Sequence, residues 1–173
     1  MSENERGTTG PEARRGRGLS LFSGGLDSQL AVCLLREQGV HVEAVLFTSP
    51  FFKNEAPVRA AEALRVKLHA LDFTADILAL VSNPPHGFGG ALNPCIDCHA
   101  MMIRRAGELM AGLGFDFVAT GEVVNQRPMS QNRRSLEIVE KESALKGRLL
   151  RPLSALLLDP TIPELEGLVD RGR

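Results

Sequence analysis

The chain has 173 residues, 43% of them hydrophobic and 24% charged, and 20 Lys and Arg against 21 Asp and Glu give a formal net charge of −1. That length suits one globular domain with a real core, and the balanced charge makes no whole-chain electrostatic case for nucleic acid. No stretch approaches the roughly 20 apolar residues of a membrane-spanning helix, and the absence of Trp and Tyr removes the usual base-stacking platform.

Residues 1–17 are polar and rich in Gly, Glu and Arg, which reads as a disordered tail. Without the apolar centre of a secretory signal, the protein is expected in the cytoplasm. Residues 18–22 read as a short buried strand, Ser23-Gly24-Gly25 breaks it, and residues 26–38 carry apolar side chains at helical spacing up to Gly39. A second strand follows at 40–47, then an amphipathic helix at 54–65 with Ala56, Ala60, Ala63 and Leu64 on its inner face, and a third strand at 66–71. Residues 74–81 form a short helix. Residues 82–93, broken by prolines and glycines, are a loop long enough to be functional. The spacing predicts a helix over 95–113, a strand over 115–120 ending in Gly121, a helix over 130–143 and a last strand over 148–153. The main domain is thus 18–158, and 159–173 is an irregular, proline-broken end at which the chain is expected to be truncated.

Alternating strands and helices predict an α/β fold, a parallel sheet flanked by helices on both faces. In such a sheet ligands gather at the carboxyl ends of the strands, near a topological switch point. The turn after the first strand suits that position. Gly24 and Gly25 let amide groups point inward without a Cβ in the way, and the following helix aims its positive end at the same point. Ser23 and Ser28 add hydroxyl donors, while Asp27 makes sense beside an anion if it binds a magnesium ion or orders the loop. Neither the Gly-x-x-x-x-Gly-Lys spacing of the common P-loop nor the dinucleotide Gly-x-Gly-x-x-Gly occurs here.

Ser23-Gly24-Gly25-Leu26-Asp27-Ser28 instead resembles the signature of the PP-loop ATP-pyrophosphatases, which cleave ATP between the α and β phosphates and adenylate a substrate. Asn93-Pro94-Cys95-Ile96-Asp97-Cys98-His99 resembles the Asn-Pro and cysteine segment of tRNA-specific 2-thiouridylases. Ala119-Thr120-Gly121 resembles their Ala-Thr-Gly, and Arg151-Pro152-Leu153 their later Pro-Leu segment. The resemblance runs over about residues 19–158 and points to the 2-thiouridylase and 4-thiouridine synthetase branch. It implies an adenine nucleotide alpha hydrolase-like, Rossmann-like PP-loop fold, and ATP held by Ser23, Gly24, Gly25, Asp27, Ser28, Phe47, Thr120 and Gly121. It also implies Mg at Asp27, tRNA as partner, and a sulfur donor protein or sulfide. In that branch a uridine carbonyl oxygen is adenylated and a sulfur nucleophile displaces AMP, with Asp27, Cys95 and Cys98 as the catalytic residues.

Cys95 and Cys98 stand at the start of a predicted helix, whose dipole favours thiolate. They are either the nucleophile and resolving pair of a persulfide mechanism or two ligands of an iron–sulfur cluster, which would want a third cysteine; a zinc knuckle with the adjacent His99 is a further reading. The sequence departs from the 2-thiouridylase pattern in having no cysteine after Cys98 and Glu122 where that pattern has histidine. Cys33 is expected to be a buried small hydrophobe, Arg104 and Arg105 a solvated helix face, and Met101, Met102 and Met110 core. Arg127, Arg133 and Arg134, in a basic stretch beyond a strand at the ligand edge, are candidates for tRNA contact. So short a chain is expected to need a homodimer mate or a C-terminal partner to hold tRNA. Two alternatives stay open: a PP-loop enzyme acting on a small carboxylate or carbonyl compound, and a nucleotide-binding module without chemistry.

Overall fold

A computed structural model describes residues 14–50, 55–83, 85, 95–127 and 130–172, apart from the side chain of Cys95. Strands β1 (Arg17–Leu21), β2 (His41–Thr48), β3 (Leu68–Asp72), β4 (Phe117–Ala119) and β5 (Leu149–Leu150) pair in parallel in the order β3-β2-β1-β4-β5. A sheet buried on both faces needs strands that are apolar nearly throughout, as the buried Val42, Ala44, Val45 and Phe47 of β2 and Phe117, Val118 and Ala119 of β4 are. The chain winds outward from β1 to β3 and returns to lay β4 on the other side of β1, which makes the carboxyl ends of β1 and β4 the switch point.

The period of two along each strand divides the core. Leu19, Val45, Val118 and Leu149 point to one face, against Ile77 of helix α3 (Thr74–Ser82), Ala100, Ile103 and Ala106 of α4 (Cys95–Leu113), and Val139 of α5 (Arg133–Glu142). Val42, Ala44, Phe117 and Leu150 point to the other, against Val32 and Leu35 of α1 (Leu26–Glu37) and Ala61 of α2 (Ala56–Ala63). Gly18 is the register partner of Phe117, and a Cβ there would lie 2.6 Å from the Phe117 ring, so the glycine is what admits the largest side chain of β4.

Several expectations need correction. The tail does not run to residue 17: Arg17 opens β1, Arg14 pairs with Asp116 at 2.6 Å, and the Gly16 carbonyl accepts from His41 N. The loop expected at 82–93 lies almost wholly outside the described residues. The inner stripe of α2 is Pro57, Ala61 and Leu64 at i, i+4 and i+7, which turns Ala63 to solvent. The last strand is only two residues long, because Pro152 has no amide to donate to a ladder and starts a 3-10 helix, Pro152–Leu157. The C-terminal end is ordered by a capping box: Thr161 and Glu164 satisfy each other at the start of α6 (Ile162–Leu165), after which Val169 is buried beside α1. Cys33 is half-buried and not core. Arg105 pairs with Asp76 and Glu108 on the exposed side of α4, and Met110 is core with Met101 and Met102 packed against it.

Toward the amino end of β2 the Glu43 carboxylate is enclosed by His69 at 2.5 Å, Lys67 at 3.1 Å and His41 at 3.2 Å. Burial pushes its pKa up, but hydrogen bonds from His69, Lys67 and His41 outweigh this and hold it at about 2. A carboxyl lowered on folding adds stability that is complete above its ordinary value and disappears as pH falls through the folded one. Glu43→Gln should therefore cost on the order of 2 kcal/mol at pH 7. It should also flatten the acid limb between pH 4.5 and about 2, as read by urea unfolding across pH; a variant whose curve stays parallel to the parent would contradict this.

Candidate functional site

The turn between β1 and α1 is built from backbone and short side chains. Gly24 has φ +75°, and a Cβ there would meet Pro57 Cα at 2.6 Å, so the turn both needs the left-handed conformation and lies directly against the start of α2. Ser28 Oγ donates to the Gly25 carbonyl at 2.8 Å, Ser23 Oγ accepts from Gly25 N at 3.3 Å, and Gln29 Nε2 donates to the Gly24 carbonyl at 2.7 Å. The N-cap of α1 is Gly25, which has no side chain to cap with. The helix's first amides therefore keep their capacity for an anion.

Gly121 closes the other wall. A Cβ on it would lie 2.6 Å from both the Asp27 carbonyl carbon and Ser28 N, so glycine alone lets the chain leaving β4 press on the first turn of α1. Between these walls and the end of β2 is a cleft of about 580 Å³. Ser23, Asp27, Ser28, Phe47, Thr120, Gly121 and Arg127 all line it, and Gly24 and Gly25 form the turn at its edge. Residues expected from four separate segments are thus brought together at the switch point.

Cys98 is placed differently, and the side chain of Cys95 lies outside the described residues. Cys98 is half-buried and packs against the apolar cluster beneath α4, outside the cleft lining, while Cys95 stands one turn before His99 in the helix. Among the described side chains of α4, His99 and Met102 face the cleft. Arg133 donates to the Leu157 carbonyl and lines a different groove along β5, and Arg134 is exposed, so Arg127 is the one of the three basic candidates at the cleft.

Glu122 and Gln131 are cleft residues not singled out as ligand-binding from sequence, and His99, weighed there only as a zinc partner of the cysteine pair, also lines the cleft. Glu122 is 5% exposed; its Oε2 accepts from Thr120 Oγ1 at 3.0 Å and Arg151 Nε at 2.9 Å, and its Oε1 lies 3.0 Å from His99 Nε2. The His99 contact is close but out of line for a hydrogen bond. Burial raises the Glu122 carboxyl, but His99 and Arg151 together overcome this and hold it at about 2, so it stays ionised. The signal in the sequence was a carboxylate placed directly after Ala-Thr-Gly at the end of a buried strand.

The donor set fits one implied metal and not the other. Magnesium takes one or two carboxylates plus phosphate oxygens, and Asp27, half-buried with its carboxylate on the cleft, suits that role. An iron–sulfur cluster calls for at least three thiolates, but Cys33 belongs to α1, across the sheet from Cys98 in α4. Among the described residues no three His, Cys, Asp or Glu side chains converge on a metal site.

The family described as thiamine biosynthesis protein (ThiI) matches residues 13–159. A probable tRNA sulfurtransferase of Acholeplasma laidlawii is 31% identical, over 80% of this chain and 34% of that protein. One of a Thermoanaerobacter species is 30% identical, over 83% and 38%. The tRNA-specific 2-thiouridylase MnmA of Marinobacter nauticus is 30% identical, over 69% and 34%. The chain spans about a third of the length of these curated relatives. A solved structure described as a predicted subunit of tRNA methyltransferase from Methanocaldococcus jannaschii shares the fold, with TM-score 0.55 and 15% identity over 80% of this chain and 68% of that one.

The close approach at Gly121 makes a sharp forecast. Gly121→Ala should cost about 1–3 kcal/mol of stability and open the wall of the cleft. Gly112→Ala, where a Cβ meets nothing on an exposed turn of α4, should be neutral or stabilise by up to about 1 kcal/mol. Paired denaturant curves measure both, and equal effects would refute the steric argument.

Proposed function

The chain belongs to the ThiI family, and from that premise we propose that it uses ATP to activate a uridine carbonyl of tRNA and replace the oxygen with sulfur. The observation that carries the reading is the convergence of the Ser23–Ser28 turn, the amino end of α1 and the Thr120-Gly121 wall on one cleft at the switch point. Its relatives' descriptions as tRNA sulfurtransferases and a 2-thiouridylase supply the acceptor.

In this reading the β and γ phosphates lie against the turn. The amides of Gly25 to Ser28 and the hydroxyls of Ser23 and Ser28 neutralise them, which is electrostatic positioning and not covalent chemistry. Magnesium held at Asp27 would offset the charge of the departing pyrophosphate. The uridine oxygen attacks the α-phosphorus, the bond to the bridging oxygen of the β-phosphate breaks, and the ring N3 proton is lost as the adenylate forms. Sulfur, delivered as sulfide or as a persulfide from a donor protein, then attacks the activated carbon, AMP leaves with the former carbonyl oxygen, and N3 regains a proton. Where the sulfur is a persulfide on Cys95 or Cys98, the other thiolate attacks the cysteine sulfur, forming a Cys95–Cys98 disulfide and releasing the thiocarbonyl. Arg127 at the mouth of the cleft is the proposed phosphate contact for tRNA, and extra segments or a partner supply the rest of the tRNA surface.

Mass spectrometry of nucleosides from total tRNA, in cells with and without the protein, tests this. Loss of one thiolated uridine on deletion, restored by the parent gene but not by Asp27→Asn or Cys98→Ala, is the expected outcome. An unchanged nucleoside profile would overturn the tRNA assignment and favour a small-molecule acceptor.

A further inference from the structure

Two basic side chains line the cleft among the described residues, and they are held very differently. Arg127 is exposed on the loop after β4. His99 comes from the first turns of α4, is 36% exposed, and has its Nε2 against the buried Glu122. Glu122 is itself immobilised: Arg151, 3% exposed, fixes its Oε2, and the same guanidinium is held by Glu140 and the Leu136 carbonyl. Thr120 Oγ1 is the second partner of Oε2, and among the described residues Oε1 faces His99.

The arrangement sits where phosphates would be. Gly121, the chain neighbour of Glu122, lies against Asp27 and Ser28, so the Glu122–His99 contact is fixed beside the glycine turn. With Nε2 turned to a carboxylate, Nδ1 is the ring nitrogen left to meet a ligand, and a ring fixed on one side by Glu122 presents that nitrogen to the cleft in one orientation. Glu122 cannot serve as a metal ligand or base without giving up these partners.

Building on the reading that the cleft takes ATP, we propose that His99 binds the β- or γ-phosphate of the nucleotide and that Glu122, locked by Arg151, is its positioning residue. His99 thereby supplies from α4 a fixed basic side chain that the turn itself, which contains no Lys or Arg, does not provide. Its contact is with the part of the nucleotide that leaves as pyrophosphate and that AMP lacks.

Calorimetric titration of the full chain with ATP and Mg, and separately with AMP, tests the assignment on the parent, His99→Gln, Glu122→Gln and Glu122→Asp, each checked for folding by thermal unfolding. His99→Gln should weaken ATP binding about tenfold or more, the range of a charge-assisted hydrogen bond, and leave AMP within about twofold. Glu122→Gln should do the same, and Glu122→Asp should recover part of the ATP affinity. Should Glu122→Gln fail to fold for want of a partner to Arg151, His99→Gln decides alone. ATP binding by His99→Gln within about twofold of the parent would overturn the proposal, as would equal losses for ATP and AMP. A parent chain that does not bind ATP would defeat the nucleotide reading itself, and this proposal with it.

Discussion

At Gly121 the chain leaving β4 passes the start of α1 so closely that an added methyl group would lie 2.6 Å from two of its backbone atoms. The rest of the site depends on this approach. It brings the ends of β1 and β4 to one wall, aims the first amides of α1 across the cleft, and leaves Glu122 pointing at α4 from just behind the turn. Gly24 does the same service against α2, with a left-handed backbone and a 2.6 Å approach to Pro57. Two glycines thus set the separation of three secondary elements, and larger residues would push the walls apart before any ligand chemistry could be considered.

The sheet also separates two buried carboxylates with different tasks. Glu43, toward the amino end of β2, gathers His41, Lys67 and His69 and ties β2 to β3 at the end away from the cleft. Glu122, at the carboxyl end, is tied to Arg151 beyond β5 and to His99 on α4. Burying an ion pair such as Glu122–Arg151 is a poor way to gain stability, because desolvation offsets much of the attraction. Its use here is geometric: a fixed charge at the floor of a cleft needs partners that cannot move.

Much of this architecture was legible in the chain. Apolar runs between turn residues located all five strands to within a few residues, and helical spacing located α1, α3 and α4, because these signals are local and the sheet is buried on both faces. The Ser23–Ser28 turn was legible for the same reason, since its glycines have a backbone task. Contacts that join distant segments were not. Glu122, His99 and Arg151 meet from α4, the end of β4 and the end of β5, and no periodicity announces such a meeting. The chemistry of Cys98 is legible from its Cys-x-x-Cys spacing, but its half-buried packing on the apolar stripe of α4 with Met101 and Met102 is a tertiary contact that the motif does not announce. The C-terminal end looked irregular because a four-residue helix and its capping box are too short to show a period.

In the proposed function an ATP phosphate chain occupies the turn between β1 and α1. Backbone amide NMR of the chain during titration with ATP and Mg tests it most directly, since each amide reports its own surroundings. The largest shifts should fall on Gly24 to Ser28, with a second group at Gly121, Glu122 and His99. Shifts that concentrate instead on α5 and the β5 edge, or a spectrum that ATP leaves unchanged, would contradict it.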